Sequence, residues 1–470
     1  MSSSSTIPSS QSTGGLGVRA LFAASIGVIV AQLGMVTLMQ GVGLGGWGFF
    51  VAMGFAFVLA LTNAMAYAEM ALMMPQASSL SSYTEAALGN FPAILMVFAG
   101  YVTPAIFGIP VELILVDQVL RSSLPLHVPP YFWPIALVAV FTGLNLLGAD
   151  VFGKVQTALS FVILGAMIVV GIVATSGHAA APMPTANWAQ MGKDPAILSM
   201  IALAFWVFVG SEFVTPLVPE ARNARRDLPR AMIGGLVAIL VAQLLFASGA
   251  GLVMTRAQLT SSATPHMDYV LAVFGAGAKP VFALMALVST ASLLNSVLAA
   301  VPRMLQGMAQ NGQVFPVFKR ASRKTGTPVV GVLFVAALPL IGLVWSGGDP
   351  NAIVPLTVAA SVAWILAYVV AQVSLVVLRV RHPDADRPFR APLFPWLQGV
   401  AIFGMVFVVS QSSPTPELTS TIVKYIGVVL ALFAVVGAFW VKVVMKRGLF
   451  EPSLSVSVDH SPLAIQEHQS

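Results

Sequence analysis

The stretch IGVIVAQLGMVTL, from Ile26 to Leu38, places one amide side chain, Gln32, inside a long apolar run that also contains two glycines. A helix that only crosses a lipid bilayer gains nothing from this composition, since glycine weakens a helix and an amide is costly in hydrocarbon. A break here frees backbone N–H and C=O groups, which lipid cannot satisfy. The stretch therefore predicts a broken helix whose free groups face a cavity or a ligand.

The composition of the whole chain is that of an integral membrane protein. Of its 470 residues, 57% are hydrophobic and only 9% are charged, and its mean hydropathy is +0.90. Soluble domains contain about 25% charged residues. A chain this apolar has too little polar surface to cover a globule in water. It contains no cysteine, which excludes disulfides and thiol chemistry.

Apolar runs long enough to cross ~30 Å of hydrocarbon, which takes ~20 residues, occur twelve times. We predict an all-α protein with twelve spans at about 19–39, 46–68, 92–118, 131–149, 155–176, 195–216, 231–254, 279–302, 328–346, 352–378, 394–411 and 421–443. The first run is too long for a cleaved signal peptide and is interpreted as a retained span. Outside the helical domain (19–443), residues 1–18 and 448–470 are predicted to be disordered cytoplasmic tails.

The basic residues support this topology independently, because cytoplasmic loops carry the excess of Lys and Arg. With the N-terminus inside, 18 of the 23 Lys and Arg residues lie on the cytoplasmic side. The other five are Arg121, Lys193, Arg256, Lys279 and Lys424. Both termini are therefore predicted to be cytoplasmic, in a multi-pass protein of the cell (inner or plasma) membrane. The net charge of +6 is this topology signal and requires no nucleic-acid partner.

A second interruption lies in span six, ALAFWVFVGSEFVTPLVPE, from Ala202 to Glu220, where Gly210 is followed by Glu212. Glycine in one span alone is explained by close helix packing. Two matched interruptions five spans apart instead favour an inverted repeat with broken first helices. We place the repeats at about 19–176 and 195–378, with two further helices at about 394–443. At each break, free N–H groups suit a carboxylate and free C=O groups suit an ammonium.

Several longer motifs resemble the amino acid–polyamine–organocation permeases, over about residues 20–440. They are AYAEMALMMPQASSLSSYTEAALG (Ala66 to Gly89), VPEARNARRDLPRAM (Val218 to Met232), RMLQGMAQNGQVFP (Arg303 to Pro316), TGTPVV (Thr325 to Val330) and RPFRAP (Arg387 to Pro392). The resemblance implies a LeuT-like five-plus-five inverted repeat with helices 1 and 6 broken. It also implies secondary active transport of amino acids or related amines, polyamines among them.

The resemblance further implies a substrate site between the two broken spans. Its residues would be Ile29, Ala31, Gln32, Leu33 and Gly34 in span one and Trp206, Val209, Gly210 and Glu212 in span six. Trp206 and Val209 would supply carbonyls, Trp206 would also gate, and Glu212 would bind a proton or an amine. The family's Gly-Ser-Gly is replaced here by Ala31, Gln32 and Leu33, which puts the usual carboxylate site in doubt. A span-five lysine of some relatives is replaced by Ile163.

Two carboxylates, Glu112 and Glu212, lie in the middle of predicted spans, out of 17 acidic residues. A lone carboxylate at mid-bilayer costs ~2.5–3.5 kcal/mol on insertion scales and therefore indicates a function. The alternative for Glu212 is a neutral carboxyl bonded to a neighbouring helix. For Glu112, substrate binding and satisfaction of a kink at Pro110 are left open. Polar residues of span eight (Ser289, Thr290, Ser292 and Asn295) are interpreted chiefly as bonding their own helix, with a cation site as the alternative.

These observations favour a permease that works by alternating access, coupled to H⁺ or by exchange, with a cationic substrate preferred. A transport-inactive sensor on the same fold is the alternative. An enzyme is not expected, because the spans contain no cysteine, no mid-span histidine and no cluster of metal ligands. No cofactor or metal is expected either. The expected partners are a small amino acid or amine, H⁺ and the lipid bilayer.

Overall fold

The structure, a computed structural model, describes residues 15–181, 197–412 and 416–452. Within these ranges the regular secondary structure is helical. The α-helices are α1 (Val18–Ile26), α2 (Gln32–Gly45), α3 (Trp47–Met73), α4 (Leu80–Leu88), α5 (Asn90–Val97), α6 (Thr103–Phe107), α7 (Ile109–Ser123), α8 (Phe132–Leu146), α9 (Ala149–Thr175), α10 (Ile197–Trp206), α11 (Ala224–Val253), α12 (Arg256–Ser261), α13 (Pro265–Phe274), α14 (Lys279–Gln310), α15 (Val329–Trp345), α16 (Pro350–Arg381), α17 (Trp396–Ser410) and α18 (Pro416–Phe439).

The helices confirm the twelve predicted spans. Among the described residues, eight helical segments are long and apolar enough to cross a membrane by length and composition: Trp47–Met73, Asn90–Ser123, Ala149–Thr175, Met200–Glu220, Ala224–Val253, Ala276–Gln310, Thr357–Arg381 and Thr419–Val444. The shorter apolar helices α8, α15 and α17 and the broken pair α1 and α2 take the places of the other four. Helix α14 continues to Gln310, past the predicted end of the span at about residue 302, and Arg303 in this extension is paired with Glu220.

Part of each predicted tail belongs to the packed chain. Leu16 forms an isolated parallel bridge with Ala221, in which the Leu16 N–H donates to the Glu220 carbonyl at 2.8 Å. Near the other end, the Leu449 carbonyl accepts from the Phe91 N–H at 3.0 Å. The tails predicted at 1–18 and 448–470 therefore extend too far into the chain, because these backbone groups pair with the helical domain. The rest of the two tails lies outside the described residues.

Both predicted interruptions are present. Helix α1 ends at Ile26, the chain turns, and α2 begins at Gln32. Helix α10 ends at Trp206 and a 3₁₀ helix, Ser211–Glu220, follows a turn that ends at Gly210. Gly210 has φ +125°, a conformation that glycine adopts without steric cost.

The two breaks lie directly against each other. A Cβ atom on Gly210 would lie 2.7 Å from the Cβ of Val28, which is closer than two carbon atoms can approach. Helix α14 packs against both α7 and the 3₁₀ helix of span six, and α11 packs against α1. The two breaks are thus brought together at the centre of the helical bundle.

Candidate functional site

A cavity of about 70 Å³ lies between the two breaks. Seven of the ten predicted site residues line it: Ile29, Ala31, Leu33, Gly34, Glu112, Trp206 and Val209. The other three, Gln32, Gly210 and Glu212, do not. Spans three and ten also line the cavity, with Ala105 and Ile109 from one and Thr357, Ala360 and Trp364 from the other.

Glu112 lies in the first turn of α7, because Pro110 occupies one of the first two helical positions, where its missing N–H costs nothing. Its carboxylate reaches across to the first turn of α2. Oε1 accepts from the Gln32 N–H at 2.7 Å and Oε2 from the Leu33 N–H at 2.9 Å. The Thr290 hydroxyl donates to Oε1 at 3.0 Å. The hydrogen bonds of Glu112 therefore go to α2 and α14 rather than to the backbone near Pro110.

The side chain of Gln32 is fully buried and points toward α14 and α13, outside the cavity. Its Nε2 donates to the Thr290 hydroxyl at 2.8 Å, and its Oε1 lies 3.3 Å from Nε2 of His266. Since an amide oxygen only accepts, His266 is the donor in this pair. His266 belongs to α13, outside the spans, and burial lowers its pKa to about 3. The backbone N–H of Gln32 instead donates to Glu112, which does line the cavity.

The free carbonyls at the end of α1 are bound by side chains of other helices. Ser292 donates to the Gly27 carbonyl at 2.9 Å, and Ser289 donates to the Val30 carbonyl. Ser160 of α9 donates to the Ala23 carbonyl at 3.0 Å. The interpretation of Ser289, Thr290 and Ser292 as bonding their own helix was wrong, because the two serines donate to carbonyls at the break and Thr290 donates to Glu112.

A polar residue missed from the sequence is Gln156 of α9. Its Nε2 donates to the Ser292 hydroxyl at 2.8 Å and its Oε1 accepts from Asn295 at 2.8 Å. Asn295 therefore also bonds outside its own helix. These partners lie 136 and 139 residues away in sequence, so no local pattern identified them.

Four aromatic rings form one wall of the cavity, and we call them the aromatic wall: Tyr101, Trp206, Phe213 and Trp364. The rings of Trp206 and Trp364 meet edge to face, with centroids 6.0 Å apart. Trp364 also contacts Phe213 at 5.5 Å and Tyr101 at 6.2 Å. The Trp206 carbonyl, expected to be free for a ligand, accepts from the Val209 N–H at 3.4 Å.

Glu212 lies behind the aromatic wall and is 1% exposed. Trp364 Nε1 donates to its Oε1 at 3.0 Å, and the Tyr368 hydroxyl donates to its Oε2 at 2.6 Å. The Gly210 N–H in turn donates to the Tyr368 hydroxyl at 3.2 Å. The two aromatic donors lie 152 and 156 residues away in sequence, so no local pattern identified them.

Ion pairs join helices at Glu220 and at the end of α16. Arg303 binds Glu220 with both Nε, at 2.7 Å, and Nη2, at 3.2 Å. Glu69, fully buried, accepts from Arg379 and lies 3.2 Å from Nε of Arg387. The quoted motifs around Glu69 and Arg387 therefore meet in space, where they join α3 to the end of α16.

A multi-pass helical membrane protein with two broken helices around a buried cavity has the architecture of the five-plus-five inverted-repeat transporters. The amino acid permease family matches residues 16–448, nearly the whole chain. The chain belongs to this family, within the amino acid–polyamine–organocation permeases.

Characterised relatives cover most of the chain at low identity. A branched-chain amino acid permease of Bacillus subtilis (strain 168) is 24% identical over 429 residues, which is 84% of this chain and 87% of that protein. The gamma-aminobutyric acid permease of Escherichia coli (strain K12) is 26% identical over 429 residues, 83% of this chain and 87% of that protein. A polyamine transporter of Oryza sativa subsp. japonica is 25% identical over 348 residues, 72% of this chain and 62% of that protein.

Solved structures share the fold. Mhp1, a nucleobase-cation-symport-1 family transporter in a closed conformation, matches with a TM-score of 0.53 and 15% identity, over 96% of this chain and 97% of that one. A mutant manganese transporter of Eremococcus coleocola matches with a TM-score of 0.59 and 14% identity, over 94% of this chain and 98% of that one. At such identities the likeness concerns the fold alone.

Proposed function

We propose that this protein is a secondary active transporter of a small amino acid or amine and that it works by alternating access. The observation that carries the proposal is the cavity enclosed between the two helix breaks. Broken half-helices in transporters present free backbone groups to a bound substrate. The relatives are permeases or transporters of branched-chain amino acids, gamma-aminobutyric acid and polyamines, which all contain an amino group.

The proposal includes the orientation of the chain and its energy source. The excess of Lys and Arg in alternate loops supports cytoplasmic termini. The ion pairs Arg303–Glu220 and Arg379–Glu69 then lie on the cytoplasmic side and hold the described conformation closed there. Opening toward the cytoplasm would separate such contacts. Transport is coupled to H⁺ or proceeds by exchange, and Glu212 is the proton-binding carboxyl in the coupled case.

Uptake by the purified full-length chain in proteoliposomes tests the proposal. Valine, gamma-aminobutyric acid and putrescine, each radiolabelled, represent the three kinds of relative. Ala360→Leu fills the cavity and should strongly reduce uptake. Ala139→Leu adds the same side chain at an exposed position of α8 and should leave uptake unchanged. Equal uptake by empty liposomes would contradict transport, and ligand binding without flux would favour the transport-inactive sensor.

A further inference from the structure

We propose that Glu112 is the counter-ion of a substrate ammonium group and that the substrate is an amine without a carboxylate. This inference rests on the proposed function, because it names the substrate class of the same cavity. It depends on three features of the site, which are the occupant of the α2 N-terminus, the free acceptor on Glu112 and the charges around the cavity.

The N-terminus of α2 is the place in the cavity where a substrate carboxylate would bind, since the free N–H groups of a half-helix attract anions. Here the chain supplies that anion itself. The N–H groups of Gln32 and Leu33 donate to the two oxygens of Glu112 at 2.7 and 2.9 Å. A substrate carboxylate would find these donors taken and would meet a like charge beside them. The side chains of Ala31 and Leu33 narrow the approach further.

Glu112 retains capacity for one more donor. An ionised carboxylate offers about four acceptor positions. Three are used, by the N–H groups of Gln32 and Leu33 and by the hydroxyl of Thr290. Gln32 and Thr290 donate to Oε1 and Leu33 donates to Oε2, so the open position is on Oε2. Since Glu112 lines the cavity and is 1% exposed, an ammonium group in the cavity is the donor that fits.

The charges around the cavity favour the same ligand. Among the described residues that line it, Glu112 is the only one of the types Asp, Glu, Lys, Arg and His. No basic side chain among them is thus available to receive a carboxylate. Glu212 adds a second carboxyl behind Trp364. Trp206 and Trp364 also line the cavity, and aromatic rings attract ammonium groups.

The size of the cavity indicates a small amine. A water-sized group needs about 10–15 Å³ of such space, so the cavity of about 70 Å³ holds roughly five to seven of them. The other residues that line the cavity are mainly apolar, with Ile29, Ala105 and Leu293 among them. A short alkylamine or diamine, with one ammonium on Glu112 and its carbon chain along these walls, matches both size and polarity.

Pairs of compounds that differ only by a carboxylate test the inference. The probes are valine and isobutylamine, gamma-aminobutyric acid and propylamine, and ornithine and putrescine. Uptake into proteoliposomes and binding to the purified full-length protein, measured by calorimetry, are compared within each pair. We expect at least a tenfold preference for the amine in one or more pairs and no pair in which the amino acid is preferred.

Glu112→Gln removes the charge and leaves one of the two α2 N–H groups without an acceptor. It should weaken amine binding at least tenfold and reduce the preference for the amine within each pair. Asp117→Asn is the matched control, because it removes a carboxylate from the same helix. Asp117 pairs with Arg121 at 2.7 Å, outside the cavity, so this variant should retain the preference. Size-exclusion profiles and thermal midpoints establish that both variants are folded.

The outcomes separate this inference from the proposed function. Uptake of amino acids in preference to their amines overturns the inference and leaves transport intact. Amine binding without uptake of any probe supports the inference and overturns transport. If Glu112→Gln does not fold, the preference of the parent protein still decides between amine and amino acid. If no probe is bound and none is taken up, both proposals are overturned.

Discussion

The indole of Trp364 separates Glu212 from the cavity. Its ring lines the cavity, while its Nε1 donates to Glu212 Oε1 at 3.0 Å on the far side. A ligand in the cavity would therefore sense a change in the charge of Glu212 through the position of Trp364, not by direct contact. The relationship makes Glu212 better placed for coupling than for binding.

Glu212→Gln should therefore abolish proton coupling while leaving substrate binding nearly unchanged. Substrate affinity is expected to change less than about threefold, which is below 1 kcal/mol, because the side chain does not line the cavity. Acceleration of uptake by an inward pH gradient should be lost, because an amide does not bind a proton. Counterflow at equal pH and uptake with a pH gradient measure the two effects in the same vesicles. A tenfold loss of affinity would place Glu212 in the binding site instead.

Gly210→Ala should inactivate the protein. Its Cβ would lie 2.7 Å from the Val28 Cβ, and φ of +125° is strained for any other residue. We expect a lowered thermal midpoint together with loss of uptake. Gly165→Ala in α9 is the control, since nothing lies within 4 Å of its added Cβ. Combining Gly210→Ala with Val28→Gly relieves the overlap but not the backbone strain. The double variant should therefore recover only part of the thermal midpoint and of the uptake. Full activity of Gly210→Ala would show that the two breaks do not pack as described.

The fold followed from local features of the sequence, and the site followed from them only in part. Span number depends on the length of apolar runs, and the break at Gln32 depends on nearby glycines, so both were predicted correctly. The direction of the Gln32 side chain was not predictable, because it is set by Thr290 and His266, more than 230 residues away. The partners of Glu112 were not predictable either, because its carboxylate binds backbone N–H groups that lie 79 and 80 residues earlier in the chain.

Uptake should not require sodium. The carbonyls of Ala23, Gly27 and Val30, which face the gap in span one, are already bound by hydroxyl groups of α9 and α14. A sodium ion would have to displace these donors. Initial rates in sodium chloride and in potassium chloride should therefore agree; potassium is used because an organic cation would itself compete for an amine site. A strict sodium requirement would show that the hydroxyl groups release these carbonyls when sodium binds.

Ser292→Ala should destabilise the protein by about 1–3 kcal/mol, since the Gly27 carbonyl and the Gln156 amide both lose a partner in a buried place. The matched control is Ser374→Ala. That buried hydroxyl donates to the Val370 carbonyl of its own helix at 2.8 Å, and the carbonyl keeps its helical hydrogen bond after the change. Thermal midpoints in detergent compare the two variants, and an equal loss would contradict the role assigned to Ser292.

Acid should destabilise the protein through His266. Its pKa is about 3 in the folded protein because it is buried, whereas an exposed histidine titrates near 6.5. The unfolded chain therefore takes up a proton as the pH falls below about 6.5, and the folded chain does not. Stability from this residue is complete above pH 6.5 and is lost as the pH falls toward 3, by about 2 kcal/mol between pH 6.5 and 5.

His266→Gln isolates this effect, because a glutamine amide still donates to Gln32 but does not titrate. The variant also loses the edge-to-face contact with Phe282, at 5.0 Å between centroids, so its midpoint at pH 7.5 should be lower than that of the parent. Its midpoint should nevertheless fall less between pH 7.5 and 5, because one proton-binding group of the unfolded chain is gone. If the midpoints of parent and variant fell equally between pH 7.5 and 5, His266 would be protonated in the folded protein or other groups would dominate the acid sensitivity of the protein.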